Sequence, residues 1–581
     1  MEGVTSVKEK VQQCLSRKQW VQQFIGARSE SAVAIEPVFL HTRFSEQVPF
    51  RFLRPSTGGT GNPRKGRAVG ILDENTSYCR KIQSRSIWSQ HDYSLEERLH
   101  TIQDWLKECN EHEACKRTAL DLPKRVIDVF SMVLYESSEN ETGRYAALSY
   151  CWGRDSLGND ILTFKTTADT LDDRKKSLCL EGETMHKTFA DAIAITRGLG
   201  IRYLWIDSLC IVQSDDGEFE SEAGKMAAYY ENAELTLAAT DSVDCEGGML
   251  YPSHLRRTFN VTRFAHQGKG AYAFLESIQT DLESEINSAP LNQRGWALQE
   301  GILSRRMIHF AKKQLIWECK TKVASEDGLV VLKKHRIIRP FALPTLWLPP
   351  ASRYEEWDAV VQDYSSRQLS KTKDKILALA GATTRFMHLL RDEPLLGLWR
   401  EDLRAGLLWR TTEPRDRVKA VELKSIPSWS WMVVDGPITF DTKDRSYFRG
   451  SWVFKIGMKI DEASVRWKGE ELTSEVEQTR LVVSGVLIPF NPSLTTIKDI
   501  WWDSPSRPNG DMFLLLVGQA RNWSKRSWDP LLTGGSKDYF LVLSQTAQKM
   551  EYSRVGMGAL DNGPQSRGDF ADQSQKTIVL V

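Results

Sequence analysis

The sequence predicts an α/β fold in its second quarter, followed by a helical, Trp-rich stretch and a β-rich C-terminal part. Between Arg144 and Ala239, short apolar runs alternate with amphipathic stretches of helical spacing. The runs are apolar on both faces, as strands buried in a mainly parallel sheet are. At 581 residues the chain also exceeds what one hydrophobic core supports, so several domains are expected.

Within the α/β segment, Tyr145-Ala-Ala-Leu-Ser-Tyr150 is an apolar run closed by Trp152-Gly153, a strand entering a turn. Thr188 and Asp191 fit a capping-box start, and Phe189, Ile193 and Thr196 share a helical face up to Gly198 and Gly200. Tyr203-Leu-Trp-Ile206 reads as a second buried strand. Phe219, Ala223, Met226 and Tyr230 mark a second helix, and Leu235–Ala239 a third strand. The expected strands are 145–150, 202–206 and 235–239, in a domain spanning 144–330 with its core at 144–301. Past Pro290, Asn292–Glu300 is dense in polar and aromatic residues, too dense for a plain linker, and a strand-like Arg306–Phe310 follows.

Residues 1–93 read as a variable region with a Gly- and Arg-rich linker, Ser56–Gly70. Its Gly61-x4-Gly66 is followed by Arg67, with no Lys-Ser/Thr and no preceding strand, which excludes a phosphate loop. Residues 94–143 form a helical lead-in, from the spacing of Leu95, Leu99, Ile102 and Leu106. Residues 331–450 combine helix (Trp357–Met387) with a Trp-rich loop, Pro427-Ser-Trp429-Ser-Trp431. A separate β-rich domain is expected at 451–581, from the runs Leu481–Phe490, Met512–Gly518, Tyr539–Ser544 and Thr577–Val581.

With Lys and Arg at 77 against Asp and Glu at 76, the net charge of +1 supplies no basic field for nucleic acid. Nine scattered cysteines, an odd number, do not fit a secreted disulfide framework. The first residues lack an apolar signal segment, and no run of about 18 apolar residues spans a membrane. A reduced, cytoplasmic protein is expected. Cys109-x2-His112-x2-Cys115 offers three zinc-type ligands, but a closed structural site needs four and no second cluster stands nearby in the sequence. The expectation is a helix end with surface thiols and no metal.

In a parallel sheet, ligands collect beyond the carboxyl ends of the strands. Cys151, Trp152, Gly153 and Asp155 follow the first strand, and Asp207, Ser208, Cys210 and Gln213 the second. Glu222 arrives from the next helix, so a cleft holding Trp152, Asp207 and Glu222 is expected. Each residue also has a structural reading: Asp207 as a cap, Trp152 and Trp205 as core, Cys210 as a buried inert thiol, and Glu222 as a solvated helix carboxylate. No catalytic triad, nucleophile elbow or metalloprotease motif is present.

Three segments resemble the motifs of the fungal heterokaryon-incompatibility (HET) domain: Arg144–Gly153, Gly200–Gln213 and Asn292–Glu300, in matching order and spacing. The resemblance covers most of residues 95–450, including Leu315–Cys319, Trp399–Leu403 and Pro427–Trp431, and is weaker at Tyr552–Gly556. It implies a Toll/interleukin-1-receptor (TIR)-like, flavodoxin-like mainly parallel sheet. It also implies a self/non-self effector that triggers growth arrest or programmed cell death when unlike hyphae fuse. The partners implied are proteins: self-assembly, or an allelic incompatibility partner. The motif residues carried over are Ser149, Tyr150, Trp152, Gly153, Asp207, Cys210, Gln213, Arg294, Trp296, Gln299 and Glu300. An Arg–carboxylate pair is expected to tie the third segment to the sheet edge. Some TIR domains cleave NAD with a helix glutamate shortly after a Trp. Phe219-x-x-Glu222 stands at the matching place, with Phe for Trp and Ser214 where Asp is frequent, making Glu222 the candidate catalytic residue and NAD the candidate substrate, with no cofactor. Three functions stay open: an effector without chemistry of its own, an NAD-cleaving hydrolase, and a non-enzymatic scaffold.

Overall fold

A computed structural model describes residues 33–41, 47–55, 67–73, 94–116, 120–158, 160–213, 218–251, 261–266, 269–277, 282–312, 314–326, 330–332, 350–412, 425–440, 455–490, 499–505, 510–521, 536–562 and 574–581. The chain divides into two compact units, Met1–Asp92 with Arg256–Asp281, and Tyr93–Leu255 with Leu282–Val581. In the first, Val33–His41 and Gln47–Pro55 form an antiparallel hairpin. Arg67–Asp73 pairs with Lys269–Ser277, which pairs with Val261–His266, all antiparallel. Arg67–Gly70, expected in the linker, are therefore strand, while Ser56–Gly66 lie outside the described residues.

The second unit is built on a nine-stranded sheet. Its strands are β1 (Arg125–Asp128), β2 (Val133–Glu136), β3 (Tyr145–Ser149), β4 (Tyr203–Trp205), β5 (Leu235–Ala238), β6 (Arg306–Phe310), β7 (Leu315–Cys319), β8 (Lys322–Ser325) and β9 (Val330–Leu332). They stand in the order β9-β8-β7-β6-β5-β3-β4-β1-β2. The three expected strands are present and pair in parallel, β3 with both β4 and β5, and β6 joins β5 in parallel. The sheet as a whole is mixed, which corrects the mainly parallel expectation. β1 and β2 flank one side and β7 to β9 the other, all antiparallel to their neighbours. The cause is local. The links Asp128–Val133, Phe310–Leu315 and Cys319–Lys322 are too short for a crossover, and so enforce hairpins. Residues 125–136 thus add two strands to a lead-in expected to be helical.

Six helices matter here: α1 (Leu95–Cys109), α2 (Lys187–Gly198), α3 (Glu218–Asn232), α4 (Gly295–Leu303), α5 (Pro350–Ser366) and α6 (Leu377–Leu390). Ser94 caps α1 in a full capping box with Glu97, whose amide reaches the Ser94 hydroxyl at 3.2 Å. The capping box expected at α2 is absent. The helix starts at Lys187 behind His186, and Asp191 instead accepts the Met249 and Leu250 amides at 2.7 and 3.1 Å. That carboxylate holds the loop after β5 against α2. α1 packs on α2 and β7, while α3 packs on α4 and α6.

α6 belongs to the stretch beyond residue 330, yet it docks tightly on the α/β part. Gln299 Oε1 accepts the Gly381 amide at 2.7 Å, and a Cβ on Gly381 would lie 2.5 Å from Ala227 Cβ. Gly→Ala in an open helix stabilises by about 1 kcal/mol. Gly381→Ala is expected to have the opposite sign and destabilise by about 1–3 kcal/mol, because the helices must separate. A urea midpoint at or above wild type would sink this account of the docking.

The C-terminal strands are β10 (Met458–Trp467), β11 (Val476–Pro489), β12 (Met512–Arg521), β13 (Ser536–Gln545), β14 (Glu551–Asn562) and β15 (Gln575–Leu580). β11 pairs with both β15 and β12, so the sheet closes on itself through β13 and β14. This β-rich part is seated on the Trp-rich stretch. The Arg554 guanidinium carbon lies 3.3 Å from the centroid of the Trp409 ring, and the Ser428 amide donates to the Val581 carbonyl at 3.0 Å. Trp205, Trp317, Trp357, Trp399, Trp409, Trp429 and Trp431 are all fully buried, which accounts for much of the tryptophan content as core. Among the described residues no helix is long and apolar enough to cross a membrane.

Candidate functional site

β3, fully buried along its length, ends at Ser149 and delivers Tyr150 and Trp152 to the carboxyl edge of the sheet. β4 ends beside it and delivers Asp207 and Ser208. The Tyr150 hydroxyl lies 2.9 Å from both Asp207 Oδ1 and Ser208 Oγ, and Trp152 Nε1 donates to Asp207 Oδ2 at 3.1 Å. Asp207 Oδ1 also accepts the Ser208 amide at 2.7 Å, in an N-terminal turn of its own. Asp207 is the first residue of that turn, whose N-cap is Ile206 with no side-chain cap bond, so the cap reading is not met and Asp207 serves as the partner of the first motif.

The third motif closes the group from above. Arg294 immediately precedes α4, and its Nη1 donates to the Tyr150 carbonyl. One turn and a half along α4, Glu300 accepts the Ser149 hydroxyl. Arg294 and Glu300 thus return to β3 across more than a hundred intervening residues, as expected. The bonding differs in detail: Arg294 hydrogen-bonds a carbonyl, and Glu300 and Asp207 act on it through charge. The reason lies in α4, which aims Glu300 at the Ser149 hydroxyl and leaves the guanidinium over the strand end.

Trp152, Asp207 and Arg294 keep partial exposure, whereas Ser149, Tyr150 and Glu300 are buried beneath them. Burial pushes the Glu300 carboxyl above the usual glutamate range, with Arg294, Ser149 and Tyr230 pulling it back. Burial likewise raises Asp207, against the pull of Arg294, Tyr150, the Ser208 amide and Trp152. For Arg294, burial opposes the charge, but Glu300, Cys151, Asp207 and Tyr150 more than offset it and the guanidinium stays protonated. The result is a rim of indole, carboxylate and guanidinium over a buried carboxylate, suited to gripping a polar group of a partner or ligand.

The other expected residues divide. Gly153 has φ +86°, and a Cβ there would lie 2.3 Å from Asp244 Cβ, so the turn out of β3 requires glycine. Cys210 is buried, accepts the Ile206 amide on its sulfur at 3.4 Å, and is pushed up to about 12 by burial, as an inert thiol would be. Gln213 closes its own loop, donating to the Ile211 carbonyl at 3.0 Å. Gln299 holds α6, and Trp296 packs against the main core. Glu222 is not joined to the rim by any hydrogen bond. It is 3% exposed, with Oε1 2.8 Å from Lys225 Nζ and Oε2 accepting the Tyr229 hydroxyl at 2.6 Å. Ser214 and the Phe219 side chain lie outside the described residues. Sequence reasoning missed Tyr230, whose hydroxyl donates to the Leu148 carbonyl at 3.0 Å beside Glu300. Its place on the apolar face of α3 marked it as core, and only its hydroxyl is polar.

Fold and site together define an α/β domain on a mixed sheet, with its distinctive residues gathered at the carboxyl ends of the parallel strands. Residues 145–300, running from β3 into α4, match the family described as Heterokaryon incompatibility protein (HET). No curated protein and no solved structure matches the chain.

Proposed function

We propose that this protein is a heterokaryon-incompatibility effector, acting in self/non-self recognition by contacts with other protein chains and ending in growth arrest or cell death. The observation that carries the reading is the convergence of three distant motifs on one partly exposed rim, Trp152, Asp207 and Arg294, within the family-matched segment. Kinship with TIR and flavodoxin-like folds is supported by strand order. Counted along the chain, the parallel strands β3, β4, β5 and β6 stand in the order 2-1-3-4, that of a doubly wound sheet. The rim lies beside its switch point, between β3 and β5, where such sheets receive ligands. The state of Glu222 favours an effector that does not depend on that residue for chemistry, since its carboxylate is buried and both oxygens are engaged by partners on its own helix, Lys225 and Tyr229.

Induced overproduction in a filamentous fungus is expected to arrest growth, and Trp152→Ala to restore it at equal protein abundance. Removing the indole opens the rim and leaves Asp207 without one of its donors. Continued arrest by the variant at normal abundance, or no arrest by the wild type, would overturn the reading.

A further inference from the structure

Cys109 closes α1, His112 and Cys115 lie in the turn that follows, and Cys319 ends β7. One ligand atom from each of these four residues lies within 4.8 Å of all the others. His112 Nδ1 is 3.7 Å from Cys319 Sγ and 4.0 Å from Cys115 Sγ. A tetrahedral ion with Zn–S near 2.3 Å and Zn–N near 2.0–2.1 Å sets sulfur and nitrogen about 3.6 Å apart, and two sulfurs about 3.8 Å apart. All three cysteines are buried and unbridged, so three thiols and an imidazole face a common point inside the protein. The Thr321 amide donates to Cys319 Sγ at 3.5 Å, the kind of bond that orients and stabilises a metal-bound thiolate.

We propose that Cys109, His112, Cys115 and Cys319 form a closed structural zinc site. Three thiolates and one imidazole complete a tetrahedron with no open position, which is the pattern of a structural rather than a catalytic zinc. The soft sulfur donors disfavour magnesium and calcium. On binding, the three thiols release their protons to solvent and the sulfurs become ligands, leaving one net negative charge on the centre. Buried Arg305 and Lys322 stand beside it: Arg305 donates to the Cys115 carbonyl at 3.4 Å, and Lys322 lies 2.5 Å from Glu108.

The site has a consequence for where the domain ends. Its ligands at 109–115 precede the family-matched segment and Cys319 follows it. Zinc would pin α1 to the β7–β8 hairpin, beside the Trp105–Trp317 ring contact at 6.1 Å, and so close the chain around residues 145–300. The unit that folds is then at least 94–326. A second metal-type group among the described residues, His186, Cys245 and Glu246, differs in kind. His186 Nε2 accepts two backbone amides, from Thr163 and Phe164, at 3.2 Å each, and Nδ1 faces Glu246, so both ring nitrogens are already engaged.

Full-length protein purified under reducing conditions without chelator is expected to carry one zinc per chain by elemental mass spectrometry. Cobalt(II) exchanged into it should show tetrahedral thiolate bands. Cys319→Ser should lower bound zinc at least ~10-fold, while Cys179→Ser, at an exposed thiol elsewhere, keeps it. If Cys319→Ser does not fold, two measurements still decide: His112→Cys should retain zinc, and mercurial blocking of the wild-type thiols should release it in step. Wild type that neither carries zinc nor takes it up on titration overturns the proposal. So does full zinc retention in Cys319→Ser, or a Cys109–Cys115 disulfide in place of metal.

Discussion

Arg294→Met is expected to destabilise the α/β unit by about 3–5 kcal/mol, with a larger deficit at neutral than at acid pH. Methionine keeps an unbranched apolar stem and removes the guanidinium with its charge, its donors and some volume, so the pH dependence and the double variant separate charge from packing. Glu300, 4% exposed, is then left without the nearest cation, and the Tyr150 carbonyl without its donor. The pH dependence has a definite sign. Burial raises the carboxyls of Glu300 and Asp207 above their ordinary values. Their contribution to stability is complete below the unfolded-state value and is lost as pH rises through the raised folded-state value. Arg294 limits that loss. Without it both folded-state values rise further, so the deficit against wild type grows from about pH 5 to about pH 7. Urea unfolding at both pH values checks this, and Glu300→Gln in the Arg294→Met background should recover about 0.5–3 kcal/mol as coupling. A deficit independent of pH, with no recovery in the double variant, would mean that packing rather than charge holds this edge of the sheet.

Gly153→Ala is expected to destabilise by about 2–5 kcal/mol, the sum of about 1–2 kcal/mol for a left-handed backbone and about 1–3 kcal/mol for overpacking. The second contribution comes from Asp244 Cβ, in the loop after β5, and Ile161 Cδ1, in the segment after β3, which would lie 2.3 and 2.8 Å from the new methyl. Gly158 is the internal control. It shares a φ of +86°, but nothing lies within 4 Å of its Cβ position, so Gly158→Ala should show the backbone effect alone. Equal losses for the two variants would show that the contact relaxes away. A larger loss at Gly153, with arrest of fungal growth abolished, would tie the close approach of the two loops to the working rim.

Local pattern determined a good deal of this protein. The runs of β3, β4 and β5 are apolar on both faces and separated by amphipathic helices, so their existence and parallel pairing follow from the need to bury both faces of a central strand. Gly153 and the inert Cys210 were legible for the same reason: a turn out of a buried strand and a thiol in an apolar run depend on neighbours in sequence. β1 and β2 were not legible, because four-residue strands carrying Arg125, Asp128 and Glu136 have too few alternations to show a period. They become strands only because β4 offers an open edge to pair with. Asp191 fits a cap by local pattern because capping chemistry is local, whereas tertiary structure gives it to the Met249 and Leu250 amides. Strand-end topology and the position one turn after Phe219 point Glu222 to the cleft. Which way its carboxylate turns is decided by Lys225 and by Tyr229, nearly two turns further along the same helix. The largest gap is Cys319. Three ligands within seven residues are visible in sequence, but the fourth lies more than two hundred residues away and arrives only when β7 takes its place beside α1. A ligand set is a matter of ångströms, and sequence distance sets no limit on it once a sheet has brought the two ends of a domain together.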